Sequence, residues 1–326
     1  MIKRILYTLL IMFPVVASAQ INTDRVMAIG RNALYFEDYV LSIQYFNQVI
    51  NAKPYLSDPH FYRGLAKINL DDFQGAESDC SEAIERNPFV VSAYQVRGLA
   101  RIQQNNFAGA IEDYTKALEF DPENIGVWHN MALCRIRQED YKGAKNDLDK
   151  LIAISPRYTK AYLMRGEVDL KQKDTLAAEK DFGKAIEIDR YDADTWASRA
   201  ILRLQQQRYK DAEADFDHAI RLSTRNSGVY INRALARYHQ NNLRGAMSDY
   251  DIALDIDPNN FIGHYNRGLL RAQVGDDNRA IQDFNFVIEM EPDNMMAIFN
   301  RGLLLDQTGD YKGAIKDYST VINEYP

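Results

Sequence analysis

Catalytic signatures are missing from this chain. There is no GxSxG, no HExxH, no P-loop and no paired-glycine nucleotide motif. Histidine is scarce, and no two of His60, His129, His218, His239 and His264 share a helix at metal-ligand spacing. We therefore expect no catalytic residue, no metal and no cofactor. Cysteine is scarcer still, with Cys80 and Cys134 alone. Past the N-terminus no segment is apolar enough to cross a membrane. Basic charge is in deficit, with 39 Lys and Arg against 46 Asp and Glu. A net anion repels phosphate backbones, which argues against nucleic acid as a partner. What remains, 46% hydrophobic and 26% charged, is the composition of a folded soluble chain and not a disordered one.

The N-terminus reads as a targeting segment. Lys3 and Arg4 give a basic start, Ile5 to Val16 an apolar run, and Ala17-Ser18-Ala19 a small-residue cleavage site. Residues 1–19 are expected to be a cleaved signal peptide, so the mature chain would start at Gln20 and be exported, to the periplasm or the cell envelope. No cysteine follows the apolar run, which argues against a lipoprotein. Cleavage removes two cations and moves the net charge from −7 to −9.

The rest is periodic. Taking the glycine of RG-L as a marker, Gly30, Gly64, Gly98, Ala132, Gly166, Ala200, Ala234, Gly268 and Gly302 stand 34 residues apart without an insertion. Twelve places on, Ser42, Ala76, Ala110, Ala144, Ala178, Ala212, Ala246, Ala280 and Ala314 are again small. Two small rows mean two helices crossing closely, since a bulky residue would hold them apart. Twenty-four places after the marker come Pro54, Pro88, Pro122, Pro156, then Arg190 and Thr224, then Pro258, Pro292 and Pro326. Proline there ends a helix or starts the next turn. Mid-repeat, eight of nine residues at one place are Asp or Asn, with Arg208 the exception, and they suit the cap of a second helix.

This pattern resembles the tetratricopeptide repeat (TPR), a 34-residue helical hairpin with an aromatic, Leu-Gly, Tyr, Ala, Phe, Ala, Pro order. Tyr94, Trp128, Tyr162, Trp196 and Tyr230 hold the first aromatic place, and Phe46, Tyr114, Phe182, Phe216, Tyr250, Phe284 and Tyr318 a later one. The resemblance implies an all-α solenoid, a right-handed superhelix of antiparallel helix pairs. After a short segment 20–22, nine repeats are expected at 23–56, 57–90, 91–124, 125–158, 159–192, 193–226, 227–260, 261–294 and 295–326.

Two further expectations come from the period. Arg63, Arg97, Arg165, Arg199, Arg233, Arg267 and Arg301 precede the marker, and Lys67, Arg101, Arg135, Arg203, Arg237 and Arg271 follow one helical turn later. The second helix carries Asp79, Asp113, Asp147, Asp181, Asp215, Asp249, Asp283 and Asp317 in register. Pairing between packed helices is expected, because a partly buried cation left alone is costly. The cysteines lie a hairpin apart, too far for a disulfide when helix axes pack at roughly 8–10 Å. We expect two buried free thiols, and core roles for His60 and His264 at the aromatic place.

In the TPR family first helices line a concave groove. By that resemblance the groove row one after the marker is apolar and includes Leu235, Leu269 and Leu303, and the row three before it includes Phe61, Tyr265 and Phe299. Two before it stand Asn130, Asn232, Asn266 and Asn300, the last three in consecutive repeats. In related superhelices such asparagines hold peptide backbone, since the amide offers a donor and an acceptor. A carboxylate clamp is not expected, because Leu or Ile stands where its Asn would be. The expected function is a non-catalytic scaffold of the bacterial cell envelope that binds a protein or peptide segment in the groove. The alternative is a recognition module of a larger envelope or secretion-associated protein or enzyme. The last repeat lacks an obvious polar cap, so it is expected either to continue into further sequence or to meet a partner or a second copy.

Overall fold

A computed structural model describes residues 22–324. The signal peptide expected at 1–19 and the terminal Pro326 lie outside the described residues. Among those residues there are eighteen α-helices and no strand. The chain divides into two compact units, one running to Glu139 and one from Asp140.

The first unit holds α1 (Thr23–Tyr35), α2 (Tyr39–Ala52), α3 (Asp58–Ile68), α4 (Phe73–Arg86), α5 (Val91–Gln103), α6 (Phe107–Phe120) and α7 (Ile125–Arg137). Helices α1 and α2, α3 and α4, and α5 and α6 form hairpins, and each second helix packs on the next first helix. The second unit holds α8 (Tyr141–Ile154), α9 (Thr159–Lys171), α10 (Thr175–Ile188), α11 (Ala193–Gln205), α12 (Tyr209–Leu222), α13 (Ser227–His239), α14 (Leu243–Ile256), α15 (Phe261–Gln273), α16 (Asp277–Met290), α17 (Met295–Gln307) and α18 (Tyr311–Glu324). Its hairpins run from α9–α10 to α17–α18, and again each helix packs on the next in sequence.

Each turn between hairpin helices has the same chemistry. The first helix stops at a left-handed residue, with φ between 59° and 88° at Glu37, Asp71, Asn105, Glu139, Lys173, Gln207, Asn241, Gly275 and Gly309. Only the last two are glycine, the residue that takes this conformation without Cβ strain. The next residue caps the second helix. Asp38, Asp72, Asn106, Asp140, Asp174, Asn242 and Asp310 each accept a backbone N–H three residues on, at 2.9–3.1 Å. Arg208 makes no side-chain cap, as its chemistry dictates. Asp276 makes none either, with Arg279 3.5 Å from its carboxylate.

Close helix crossing follows from the marker glycines. The ring of Phe46 would meet a Cβ on Gly30 at 2.7 Å, that of Tyr114 one on Gly98 at 2.7 Å, and that of Phe182 one on Gly166 at 2.6 Å. The ring at the later aromatic place therefore packs directly against the marker. Cys80 occupies this place in the second repeat, its sulfur 3.0 Å from where a Gly64 Cβ would be. Cys80 and Cys134 are both free and fully buried, as expected. Burial pushes their thiols up, to about 12 and about 11.

Candidate functional site

The charged rows form a ladder. Seven of the eight buried aspartates of the second helices are gripped side-on by the Arg before the marker; at Asp147 that place is Met131. Arg233 Nε and Nη2 donate to Asp249 at 3.0 and 2.7 Å, and Arg267 donates in the same way to Asp283 at 3.1 and 2.8 Å. The same fork joins Arg63 to Asp79, Arg97 to Asp113, Arg165 to Asp181, Arg199 to Asp215 and Arg301 to Asp317. The second base adds a further contact: Lys67 lies 2.9 Å from Asp79, and Arg203, Arg237 and Arg271 lie 2.8 Å from their aspartates. Bidentate pairing of this kind meets the desolvation cost of a buried carboxylate.

The ladder also joins repeats, which the sequence reading did not anticipate. The third guanidinium nitrogen of the same Arg reaches back to the second helix of the preceding repeat. Arg165 meets Asp149 at 2.6 Å, Arg233 meets Asp217 at 2.6 Å, and Arg267 meets Asp251 at 2.8 Å. The second bases reach back as well: Arg101 to Glu77 at 2.8 Å, Arg203 to Glu179 at 3.0 Å, Arg237 to Glu213 at 2.7 Å. In the fifth repeat this link is inverted. Asp169 stands where six repeats carry a base, and Lys145 stands where three carry Glu; the two pair directly.

The ladder's environment is not uniform. Burial pushes Asp113 above the usual carboxylate range, and Arg97 and Arg101 only partly offset it. Burial acts on Asp283 too, but hydrogen bonds from His264 and Arg267 more than offset it and hold that carboxyl below its ordinary value. His264 occupies the aromatic place, with Nδ1 3.0 Å from Asp283 and Nε2 3.0 Å from the Pro258 carbonyl. Trp128, Tyr162 and Trp196 make the matching bond to the carbonyl six residues earlier, at 2.8, 3.1 and 3.0 Å. His60 has the same place but no such bond. Arg86 Nε donates to the Pro54 carbonyl at 2.6 Å, and both ring nitrogens of the buried His60 lack a hydrogen-bond partner among the described residues.

The expected groove residues separate into two groups. In the first unit Phe61 is half-buried against the cluster of Cys80, Ala83, Ala93 and Val96. Asn130 is half-buried on α7, where it draws down the Tyr114 hydroxyl that burial pushes up. In the second unit Asn232 and Leu235 lie on α13, Tyr265, Asn266 and Leu269 on α15, and Phe299, Asn300 and Leu303 on α17. Leu269, Leu303 and Phe299 are exposed, at 38%, 39% and 42%. Tyr265 instead leans on Phe284, edge to face, with ring centroids 5.8 Å apart. Asn300 donates to the Tyr265 hydroxyl at 3.1 Å and to the Met296 carbonyl at 2.8 Å, so it links α15 to α17. Asn232 and Asn266 have no side-chain hydrogen bond within the described residues, and each keeps a free donor and acceptor.

Among the described residues no three His, Cys, Asp or Glu side chains are grouped to hold a metal, and no helix is long and apolar enough to cross a membrane. The periodic acids and bases of the helix-pair interfaces are engaged in the ladder.

Comparison with known proteins agrees with this architecture. Family models described as TPR repeat or tetratricopeptide repeat match residues 98–134, 125–158, 159–192, 198–261 and 265–326. No curated protein sequence matches the chain. Among solved structures, a tetratricopeptide repeat protein from Parabacteroides merdae is 21% identical with a TM-score of 0.58, covering 76% of this chain and 98% of its own. PilF from Pseudomonas aeruginosa is 19% identical with a TM-score of 0.56, covering 67% and 97%. The Cut9–Hcn1 hetero-tetramer of the APC/C is 13% identical with a TM-score of 0.58, covering 87% of this chain and 56% of its own. At these identities the likeness is one of fold.

Proposed function

Since the chain belongs to the tetratricopeptide repeat family and folds as an α-solenoid, we propose that it is a non-catalytic interaction scaffold. Its first-helix face in the second unit takes an extended peptide or a helical segment of a protein partner. The observation that carries this reading is the juxtaposition on α13, α15 and α17. Leu269, Phe299 and Leu303 are exposed apolar side chains on α15 and α17, and the amides of Asn232 and Asn266, on α13 and α15, have no partner among the described residues. Such a surface offers apolar anchors together with donors and acceptors for a peptide backbone. Assembly is also the theme of a structural neighbour, the Cut9–Hcn1 complex. The basic N-terminal start, apolar run and Ala-Ser-Ala site support export to the cell envelope as part of the same reading.

The test is affinity capture from the native envelope with quantitative mass spectrometry. Wild type is compared with Asn232→Ala/Asn266→Ala and with Leu269→Asp/Leu303→Asp. The expected result is one set of proteins depleted with both variants. Equal recovery of every captured protein would reject the groove as the binding face.

A further inference from the structure

The sixth repeat carries charges that the ladder does not use. In the third and fifth repeats the outer side of the second helix bears an i,i+3 pair, Lys116–Glu119 and Lys184–Glu187, each at 2.9 Å. At the acidic place of that pair five repeats carry Glu85, Glu119, Glu187, Asp255 and Glu289. The sixth carries Arg221, with His218 at the basic place. In the loop before α11, Arg190 stands where most repeats have proline. These departures meet in one cavity of about 400 Å³, lined by Arg190, Tyr191, Trp196, His218, Arg221 and Leu222. No carboxylate lines it.

The cavity is held in shape by contacts that leave the guanidinium groups of Arg190 and Arg221 without a counter-ion among the described residues. Trp196 Nε1 donates to the Arg190 carbonyl at 3.0 Å, which pins the loop to α11. His218 stacks on Trp196 with ring centroids 4.2 Å apart. Arg199 covers Trp196 at 5.1 Å and is itself committed to Asp215. Arg190 lies 5.3 Å over the exposed Tyr191 ring, a contact that leaves its charge unneutralised. The loop carboxylates have other partners: Asp189 accepts from the Tyr191 N–H at 2.9 Å, and Asp192 from the Asp194 N–H at 3.3 Å and from the Thr195 hydroxyl.

We propose that this cavity is a binding site for a phosphate monoester. Two unneutralised guanidinium groups match the charge of a phosphate monoester, about −1.5 to −2 at neutral pH. They also match its preference for forked N–H donors. His218 adds a ring nitrogen, and Tyr191 and Leu222 supply an apolar wall for the esterified group. The site shares no residue with the face proposed on α13, α15 and α17 and does not depend on the function proposed for it.

Trp196 provides the readout. In a Trp128→Phe background it is the sole tryptophan of the chain. Its fluorescence is followed at constant ionic strength with phenyl phosphate, inorganic phosphate, dimethyl phosphate and succinate. The expected result is a saturable change, tightest with phenyl phosphate, weaker with inorganic phosphate, and weakest with the singly charged diester and the dicarboxylate. Arg221→Glu and Arg190→Pro restore residues that other repeats carry, so the fold is retained; each is expected to weaken phenyl phosphate about tenfold, the worth of one charge-assisted contact. A flat or linear response, an equal response to succinate, or affinity unchanged in both variants would overturn the assignment.

Discussion

Single side chains show where the repeat pattern is satisfied and where it is strained. His60 is buried at a place that holds Tyr or Trp in five repeats, and both its nitrogens go unmet among the described residues. Burial, then Arg86 and Arg63, hold its pKa below the ordinary 6.5. The fold therefore favours the neutral ring, while the unfolded chain takes up a proton below pH 6.5. The contribution of neutral His60 is complete above 6.5 and is lost as the pH falls through that value toward the lower folded pKa. His60→Phe is expected to raise stability by about 1 kcal/mol at pH 7.5 by removing the unmet groups, and by more at pH 5.5. Thermal melts at both pH values check this, and a gain that shrinks on acidification would count against it. Asp249 is the opposite case, a buried acid with Arg233 and Arg237 both upon it. Asp249→Ala leaves Arg233 with Asp217 and Arg237 with Glu213, and the loss of the shared buried acceptor is expected to cost about 2 kcal/mol, measured by urea denaturation.

At the scale of helices and turns, much was legible in advance. The rows of small residues, the Asp and Asn caps and the pairing of Arg with Asp are all periodic, and a period of 34 over nine copies separates them from chance. Three features were not read from it. The left-handed turn residue is glycine only at Gly275 and Gly309, so seven ordinary side chains hide the place. Lys173→Gly is expected to stabilise by about 1 kcal/mol by relieving a Cβ clash; an unchanged melting temperature would contradict it. The reach of one Arg into two repeats was hidden because its far partner varies among Asp, Asn and Ser. The inverted link did leave a trace: Asp169 breaks a row of bases, and Lys145 lies 24 residues before it where Glu77, Glu179 and Glu213 stand in their repeats. A double-mutant cycle tests it. Lys145→Glu and Asp169→Arg should each destabilise, while the double variant recovers at least about 1 kcal/mol of coupling. The groove row was legible as a row, yet the commitment of Asn300 to Tyr265 depends on a contact between helices 35 residues apart in sequence.

For the molecule as a whole, stability resides in neighbour interfaces, as expected of stacked repeats. The cross-repeat charges make those interfaces unequal, so neighbours are not freely interchangeable. Two in-register deletions within the second unit separate this account from a purely hydrophobic stack. Removing residues 227–260 brings Arg267 against Asp217 and Arg271 against Glu213, which keeps one link and supplies another. Removing residues 159–192 brings Arg203 against Lys145, two cations. Each deletion takes out 34 residues and one hairpin. The decisive measurement is the melting temperature of the two deletion proteins side by side. The ladder account predicts that the chain lacking 227–260 melts close to wild type, while the chain lacking 159–192 melts several degrees lower, the shift expected of a 1–2 kcal/mol like-charge conflict in a domain of about 200 residues. Equal melting temperatures, or the reverse order, would contradict it.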